Sequence, residues 1–385
     1  MWVRLKLDIR WLDLLAALRY CLTPGDRGRT ASRTARSWSG GEDFLITLSV
    51  RSAFDLALRA LRLPPGSEIL FSAWTVPDMM RITQAHGLVP VPLDVDEQGH
   101  VALESVRQAI TAQTRMIVVA HLFGGFAPLD DIITLARQHS LLVVEDCAQS
   151  FHRVGDGGHP SSDLAMFSFG PIKTASALGG AVVRVASPGL RQSMSNQLSQ
   201  DPIQTRAAFA RRVARFAAIK LLSANRVCSL FRRVVTRLGY DFDSLANAMG
   251  RGFSASNLLE QLRRQPSTPL LRLLERRWRT YESSRIVRRI ELGRMMDQRL
   301  QVRRPQNHIY WVYPIFTDSP SAVRDRLQAA GFDATCQTRM CVIPPVDATR
   351  LADSADRNLQ RVVFLPWYPE LPMERAEALA QLLTE

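Results

Sequence analysis

LLVVEDCAQS (residues 141–150) and DLAMFSFGPIKTASALGGAVVRV (residues 163–185), joined by a glycine-rich connection, decide how this chain of 385 residues is read. The first segment ends an apolar run on an acid, Asp146. The second places Lys173 in a loop of small residues between two strand-like runs. Open α/β sheets bind ligands beyond the carboxyl ends of their strands, where both side chains are expected. A lysine in such surroundings is partly desolvated, which lowers its pKa and makes it a usable nucleophile. Each residue also has a plain alternative: Lys173 as a solvated loop lysine, and Asp146 as a helix cap or ion-pair partner.

Upstream, strands and helices alternate. FLITL leads through Ser49, Val50, Arg51 and Ser52 into AFDLALRALRL, where Ala53, Leu56, Ala57 and Ala60 fall at helical spacing. A strand that turns through small polar residues into a helix presents backbone N–H groups and a positive dipole end, an arrangement suited to phosphate. EILFSAWTVPDMMRITQAHG and VPVPLDVDEQGHVALESVRQAI repeat the cycle, and TRMIVVAHLFG followed by APLDDIITLARQHS completes it. This rhythm predicts an α/β fold, a mainly parallel sheet with helices on both faces. The strand tips at Ser49, Trp74, His121 and Asp146 then share one edge.

On either side the pattern differs. Residues 1–43 read as an N-terminal segment with a helix over Trp11–Leu22 and a Gly/Arg/Ser/Thr-rich linker ending at Gly40 and Gly41. Residues 44–190 form the expected large α/β domain, residues 191–300 an arginine-rich helical region, and residues 301–385 a small α+β domain.

Composition narrows the class. With 46% hydrophobic and 22% charged residues, the chain has the make-up of a soluble globular protein. Its start mixes charges into the apolar part and does not read as a secretory signal. Five scattered cysteines, with no CxxC pair, point to a reducing cytoplasm and away from a structural metal site. Residues 204–304 hold 23 basic and 7 acidic residues, a local net of +16 within a chain of +13, so the remainder is −3. The 49 basic residues include only three lysines, Lys6, Lys173 and Lys220, so lysine chemistry has few candidates.

Five ordered motifs carry a resemblance: SVRSAFDLAL, PPGSEILFSAWTV, TRMIVVAHLFGGFAPLDDI, VVEDCAQS and FSFGPIKTASALGGAVV. Over residues 44–185 the chain resembles the DegT and StrS type of sugar aminotransferases, fold type I enzymes dependent on pyridoxal phosphate. YPIF, LQAAGFDA and VVFLPWYPELPMERAEALAQLL resemble that family's small domain more loosely. By this resemblance Lys173 bonds the cofactor aldehyde and shuttles the reaction's proton, and Asp146 pairs with the pyridine nitrogen. Gln149 approaches the ring hydroxyl. The Ser168 hydroxyl and the backbone N–H groups of Arg51 and Ser52 take the phosphate. Trp74 stacks on the pyridine face, with a core aromatic as its alternative. The resemblance also implies a homodimer, an amino acid donor such as glutamate, and a keto-sugar acceptor, nucleotide-linked.

The chain departs from the family in three places. Arg51-Ser52 stands where Gly-Thr is common, and Ala177-Leu178 where Gly-Glu precedes the paired glycines. The family's asparagine-bearing loop, which reaches into the neighbouring subunit, falls near residues 249–256, with Gly250 in the asparagine's place. For the basic zone, a solvated helical face or dimer surface is the plain reading. Peripheral membrane association through amphipathic basic helices is the next. Charge without a motif supports no specific nucleic-acid partner. Two rival functions stay open: an aminotransferase acting on a lipid-linked or other ketone at the membrane surface, and a catalytically inactive regulatory relative.

Overall fold

The computed structural model describes every residue except 5, 40–43, 226, 230–234, 236, 238–256 and 385. Short runs rich in Val, Ile and Leu become strands β1 (Phe44–Thr47), β2 (Glu68–Ser72), β3 (Trp74–Thr75), β4 (Val89–Leu93), β5 (Thr114–Ala120), β6 (Leu142–Asp146), β7 (Leu164–Ser168) and β8 (Ala181–Val185). All but β3 join one seven-stranded sheet in the order β1-β8-β7-β6-β5-β2-β4. The pairs from β4 through β7 are parallel, and only β8 runs against its neighbours β7 and β1. The sheet is thus mainly parallel, as the alternation predicts. Ala120 sits level with Asp146, and Asp146 with Met166, so β5 and β6 end together at one edge and β7 runs two residues beyond them to Ser168.

Both faces of this sheet are covered, which is why its strands read as continuous apolar runs rather than alternating ones. Alternate residues of β7 show the two sides: Leu164 and Met166 pack into one buried cluster, Ala165 and Phe167 into another. Four helices follow the strands of the first half: α3 (Val50–Leu61), α4 (Pro77–Ala85), α5 (Leu103–Ala109) and α6 (Asp130–Gln138), after α1 (Trp11–Leu22) and α2 (Arg27–Ser39) at the amino end. Ser49 caps α3, its hydroxyl accepting from the Ser52 N–H at 3.1 Å.

The stretch predicted as a linker is helix α2, and tertiary contacts rather than composition make it so. The Thr34 hydroxyl donates to the carbonyls of Thr30 (2.7 Å) and Leu271 (3.3 Å), and Arg33 pairs with Glu275 at 2.8 Å. At its end Trp38 is buried against Phe167, Phe169 and Trp278, with ring centroids 5.1–5.7 Å away. Gly40 and Gly41 lie outside the described residues.

Among the described residues, α7 (Pro188–Gln200) leads into the basic zone, which holds α8 (Arg206–Leu222), α9 (Leu258–Leu262), α10 (Thr268–Thr280) and α11 (Ser284–Leu300). Many of its arginines face solvent, in line with the plain reading, but Arg212, Arg277 and Arg289 turn inward. Beyond α11 come β9 (Pro314–Phe316), α12 (Pro320–Ala329), β10 (Cys341–Val342), α13 (Asp353–Arg361), β11 (Val362–Phe364) and α14 (Met373–Thr384). Leu292 and Met296 of α11 share a buried cluster with Tyr313, Leu327, Val363 and Leu379. An antiparallel pairing of Val342 with Trp74 ties this C-terminal part to the tip of the sheet.

Candidate active site

Lys173 lies in the connection between the antiparallel neighbours β7 and β8. This loop bonds to itself: Phe169 N–H donates to Gly180 O, and the Phe169 carbonyl accepts from Ala177 and Gly179, each at 3.0 Å. Two of its residues, Ala175 (φ 53°) and Leu178 (φ 62°), adopt the left-handed conformation that side chains disfavour by about 1–2 kcal/mol. Contacts from outside hold that shape. Asp8 accepts from Ala175 N–H at 3.4 Å, Arg277 Nε donates to Ser176 O at 3.0 Å, and Arg212 Nε donates to Leu178 O. Arg277 is itself clamped, donating to Asp13 at 2.8 Å and to the Asp8 carbonyl at 2.9 Å.

The Lys173 ammonium stands 4.2 Å from the centre of the Trp311 ring. Burial lowers its pKa to about 8; Asp146 pulls it back up, and Arg51 and Arg339 push it further down. Asp146 ends β6 and accepts from the Ala148 N–H at 2.9 Å. Burial raises its pKa, opposed by that hydrogen bond and by the charge of Lys173. Beside it, Glu145 points to the other face and is fully occupied by His121 (2.8 Å), His159 N–H (2.7 Å) and the Ser162 hydroxyl (2.5 Å). Because His121 Nδ1 accepts from Ala127 N–H at 3.0 Å, its proton sits on Nε2 and is donated to Glu145. This buried pair fixes the tip of β5 against that of β6.

The other expected residues are only partly gathered here. Arg51, Trp74, Gln149 and Ser168 line one cavity of about 410 Å³ together with Asp146 and Lys173. Ser52 does not reach the wall, since its N–H is spent on the Ser49 cap. Instead the first turn of α3 meets the cavity through Val50 and Arg51. The Arg51 guanidinium is tied to Asp78 at the start of α4. The Gln149 carbonyl oxygen accepts from Phe123 N–H at 2.8 Å, so a bond from Gln149 to a ligand runs through its amide NH₂. Trp74 is held as a core aromatic is: its Nε1 donates to Ala355 O at 2.8 Å and its ring stacks on Phe316 at 6.1 Å, while one edge remains in the cavity wall.

Sequence reasoning missed Arg4, Arg212, Arg289, Trp311 and Arg339, which also line the cavity. A signal existed for two of them. Arg212 lies on the helical face of Phe209, Val213 and Phe216, and Arg289 on that of Ile286, Leu292 and Met296. An arginine on a buried stripe has to find acceptors inside. Arg289 does so at the carbonyls of Tyr310 (3.3 Å) and Trp311 (2.8 Å), and thereby seats the Trp311 backbone. Burial lowers the pKa of Arg212 to about 10. Among the described lining residues seven are basic and one, Asp146, is acidic, so the cavity is cationic. The loop predicted near residues 249–256 lies outside the described residues.

A profile of the DegT/DnrJ/EryC1/StrS aminotransferase family matches residues 20–214, which include the sheet, the Lys173 loop and the first half of α8. The UDP-N-acetyl-3-dehydro-alpha-D-glucosamine 3-aminotransferase of Acidithiobacillus ferrooxidans is 32% identical over 185 residues, 47% of this chain and 50% of that protein. The dTDP-3-amino-3,4,6-trideoxy-alpha-D-glucose transaminase of Streptomyces venezuelae is 32% identical over 201 residues, 50% of this chain and 51% of that protein. The chain therefore spans about half the length of these curated relatives. In overall structure it is similar to the aminotransferase TlmJ from Streptoalloteichus hindustanus, with a TM-score of 0.70 at 18% identity, covering 99% of this chain and 97% of the other. The sugar aminotransferase CalS13 from Micromonospora echinospora gives 0.69 at 19% identity over 100% and 99%. At such identities the likeness shows the fold.

Proposed function

This chain belongs to the DegT/DnrJ/EryC1/StrS aminotransferase family, and we propose that it is a pyridoxal-phosphate-dependent aminotransferase that moves an amino group from an amino acid, glutamate in the first instance, to a keto sugar. The observation that carries this reading is the meeting of Lys173 and Asp146 in one cavity with Ser168 and the amino end of α3. The residues present fit the cofactor. A primary amine with its pKa lowered to about 8 suits an aldehyde, a carboxylate at a strand end suits a pyridinium nitrogen, and a hydroxyl, a helix start and an arginine suit a phosphate.

When bound, pyridoxal phosphate supplies the aldehyde that takes up the amino group and the ring that withdraws electrons from the reacting carbon. This chain's side chains do the rest. Asp146 would keep a positive charge on the ring nitrogen. Ser168 and the first turn of α3 would anchor the phosphate. Gln149 would steady the ring through its amide, and Trp74 would flank it. Lys173, neutral in part near pH 8, would take the proton from the donor's carbon and deliver it to the cofactor's carbon in one half-reaction, and carry a proton the opposite way, to the acceptor's carbon, in the other. Trp311 holds the charged form of Lys173 through the face of its ring.

The cationic wall supports an acceptor that carries phosphate, and the nucleotide prefixes in the names of the two curated relatives support a nucleotide-linked sugar. Arg4, Arg289 and Arg339 in the cavity wall are the basic groups it would meet. A homodimer fits the exposed Ile172 beside Lys173, 39% accessible at the cavity mouth. No described helix is long and apolar enough to cross a membrane, and a cytoplasmic location is part of the proposal. An acceptor carried on a lipid is the second reading, favoured by the apolar stripe on α1 taken up next.

Purified protein should take up pyridoxal phosphate with a new visible absorbance band, and Lys173→Ala should lose that band. A protein that stays colourless with added cofactor would sink the proposal. Screening the aminated form against nucleotide-linked keto sugars and lipid-linked ketones then selects the acceptor class.

A further inference from the structure

Helix α1 buries only one side. Asp13, Leu14 and Ala17 face α8 and α10, whereas Trp11, Leu15, Leu18 and Leu22 stand outside at spacing i, i+4, i+7 and i+11, a straight stripe along the helix. They are 47%, 61%, 37% and 83% exposed, and Leu12 beside them 66%. Helix α8 continues the face. Its end lies by the start of α1, with Lys220 Nζ 5.8 Å from the centre of the Trp11 ring, and it adds Leu221, 58% exposed. Scattered surface leucines need no explanation, but a contiguous patch of large apolar side chains marks a contact surface.

The rim of that patch is mainly basic; the exposed acids near it, Glu282 and Glu370, lie at the Trp11 end, where Glu282 is paired with Arg10 and Glu370 with Arg285. Arg19 of α1 and Arg206, Arg211 and Arg215 of α8 are exposed around it, and α8 contains no acid. The one acid of α1, Asp13, is buried beneath Arg276 and Arg277. Asp26, just past α1, is paired with Arg29 at 3.6 Å. We propose that this face docks the protein on an anionic lipid surface, with α1 lying in the headgroup plane and its stripe of Trp and Leu dipping below it. Trp and Leu on one side with arginines flanking is the composition of an interfacial helix. A second copy of this chain fits less well, because a two-fold interface would set the same basic rim against itself. On the inner side of α8, Arg212 lines the cavity, so docking brings the site within one helix of the lipid surface.

Flotation of the full chain with vesicles of phosphatidylcholine, alone or mixed with phosphatidylglycerol, tests this independently of any activity. Each basic side chain at an anionic surface is worth about fivefold in partitioning. The mixed vesicles should therefore carry the protein up at least about tenfold more than phosphatidylcholine alone, with the gain lost as salt approaches about 0.5 M. Leu15→Glu with Leu18→Glu should cut flotation by roughly tenfold or more, as should Arg206→Glu with Arg211→Glu, while cofactor uptake stays as in the parent. All four positions are exposed, so an unchanged melting curve is expected and shows that the fold is kept. The proposal is overturned if the protein stays at the bottom at low salt or if the leucine pair floats like the parent. It is equally overturned if the leucine pair splits an oligomer in solution without altering vesicle binding, because the face is then an interface between copies.

Discussion

Lys173 offers the sharpest quantitative test, because the chain has only three lysines and each falls in a separable peptide. Burial brings its amine to about 8, against an ordinary 10.5. At pH 7 roughly one Lys173 in ten is then neutral, where an unperturbed lysine would be neutral about once in three thousand, an advantage of roughly 300-fold in reactive amine. Competitive acetylation of the cofactor-free protein, read by mass spectrometry peptide by peptide, reports the pH at which each amine stops gaining reactivity. For Lys173 the break should fall near 8. Removing the charge of Asp146, which pulls the amine upward, should move the break lower in Asp146→Asn. Removing the repulsion of Arg51 should move it higher in Arg51→Gln. Stability has a matching sign. The folded pKa lies below the unfolded one, so between about 8 and 10.5 the unfolded chain binds more protons, and stability rises with pH by up to about 3 kcal/mol. Reactivity of Lys173 that climbs without a break to pH 10 would refute the account of a desolvated amine.

Three further outcomes follow from the packing. Arg277→Met leaves Asp13 buried beside only Arg10 and Arg276 and frees the Ser176 carbonyl, so it should cost about 3–5 kcal/mol in denaturant unfolding and weaken cofactor retention; a loss under about 1 kcal/mol would contradict the clamp. Gly180 has φ +86° and a Cβ there would come within 2.7 Å of Leu274, so Gly180→Ala should destabilise by at least about 1–3 kcal/mol and impair cofactor uptake, whereas Gly66→Ala, with φ +81° and open space, should cost only about 1 kcal/mol. Although burial pushes Asp55 up, hydrogen bonds from His86 (2.9 Å) and Arg263 (3.0 Å) hold its carboxyl below the usual range. Its stabilisation is present above about pH 4 and is lost as pH falls through the lowered value, so melting temperature should drop less steeply below about pH 4 in Asp55→Asn than in the parent.

Where a run of residues carries one periodicity and one environment, the sequence alone sufficed. The α1 limits Trp11–Leu22, the alternation that makes the sheet, and the placing of Asp146 and Lys173 on one edge are of this kind. It failed where distant contacts overrule local composition. RGRTASRTARSWS reads as a linker because its residues are polar, yet the Thr34 bond to Leu271 and the Trp38 aromatic cluster make it a helix. Ser52 was expected to meet the phosphate through its N–H, and whether a capping hydroxyl takes that donor first is a matter of one rotamer. Trp311 has no local mark at all: its place under the lysine depends on Arg289 holding its carbonyl from another helix. The inward arginines were missed as well, although for them a local signal was present. Arg277 shares its face with Leu270, Leu273, Leu274 and Trp278, and a charge on such a stripe announces a buried acceptor before any coordinates exist.

The clamp on the lysine loop begins far from it in the chain. Asp8 and Asp13 reach Ala175 directly and Ser176 through Arg277, so the amino-terminal segment and the reactive amine form one mechanical unit. An early proteolytic nick, or a bulky tag that unseats residues 8–13, is on this view an active-site lesion. α1 thus carries Asp13, which holds the clamp, on its inner side and the bare Trp and Leu stripe on its outer side, so the outer contact surface and the support of the lysine loop share one helix.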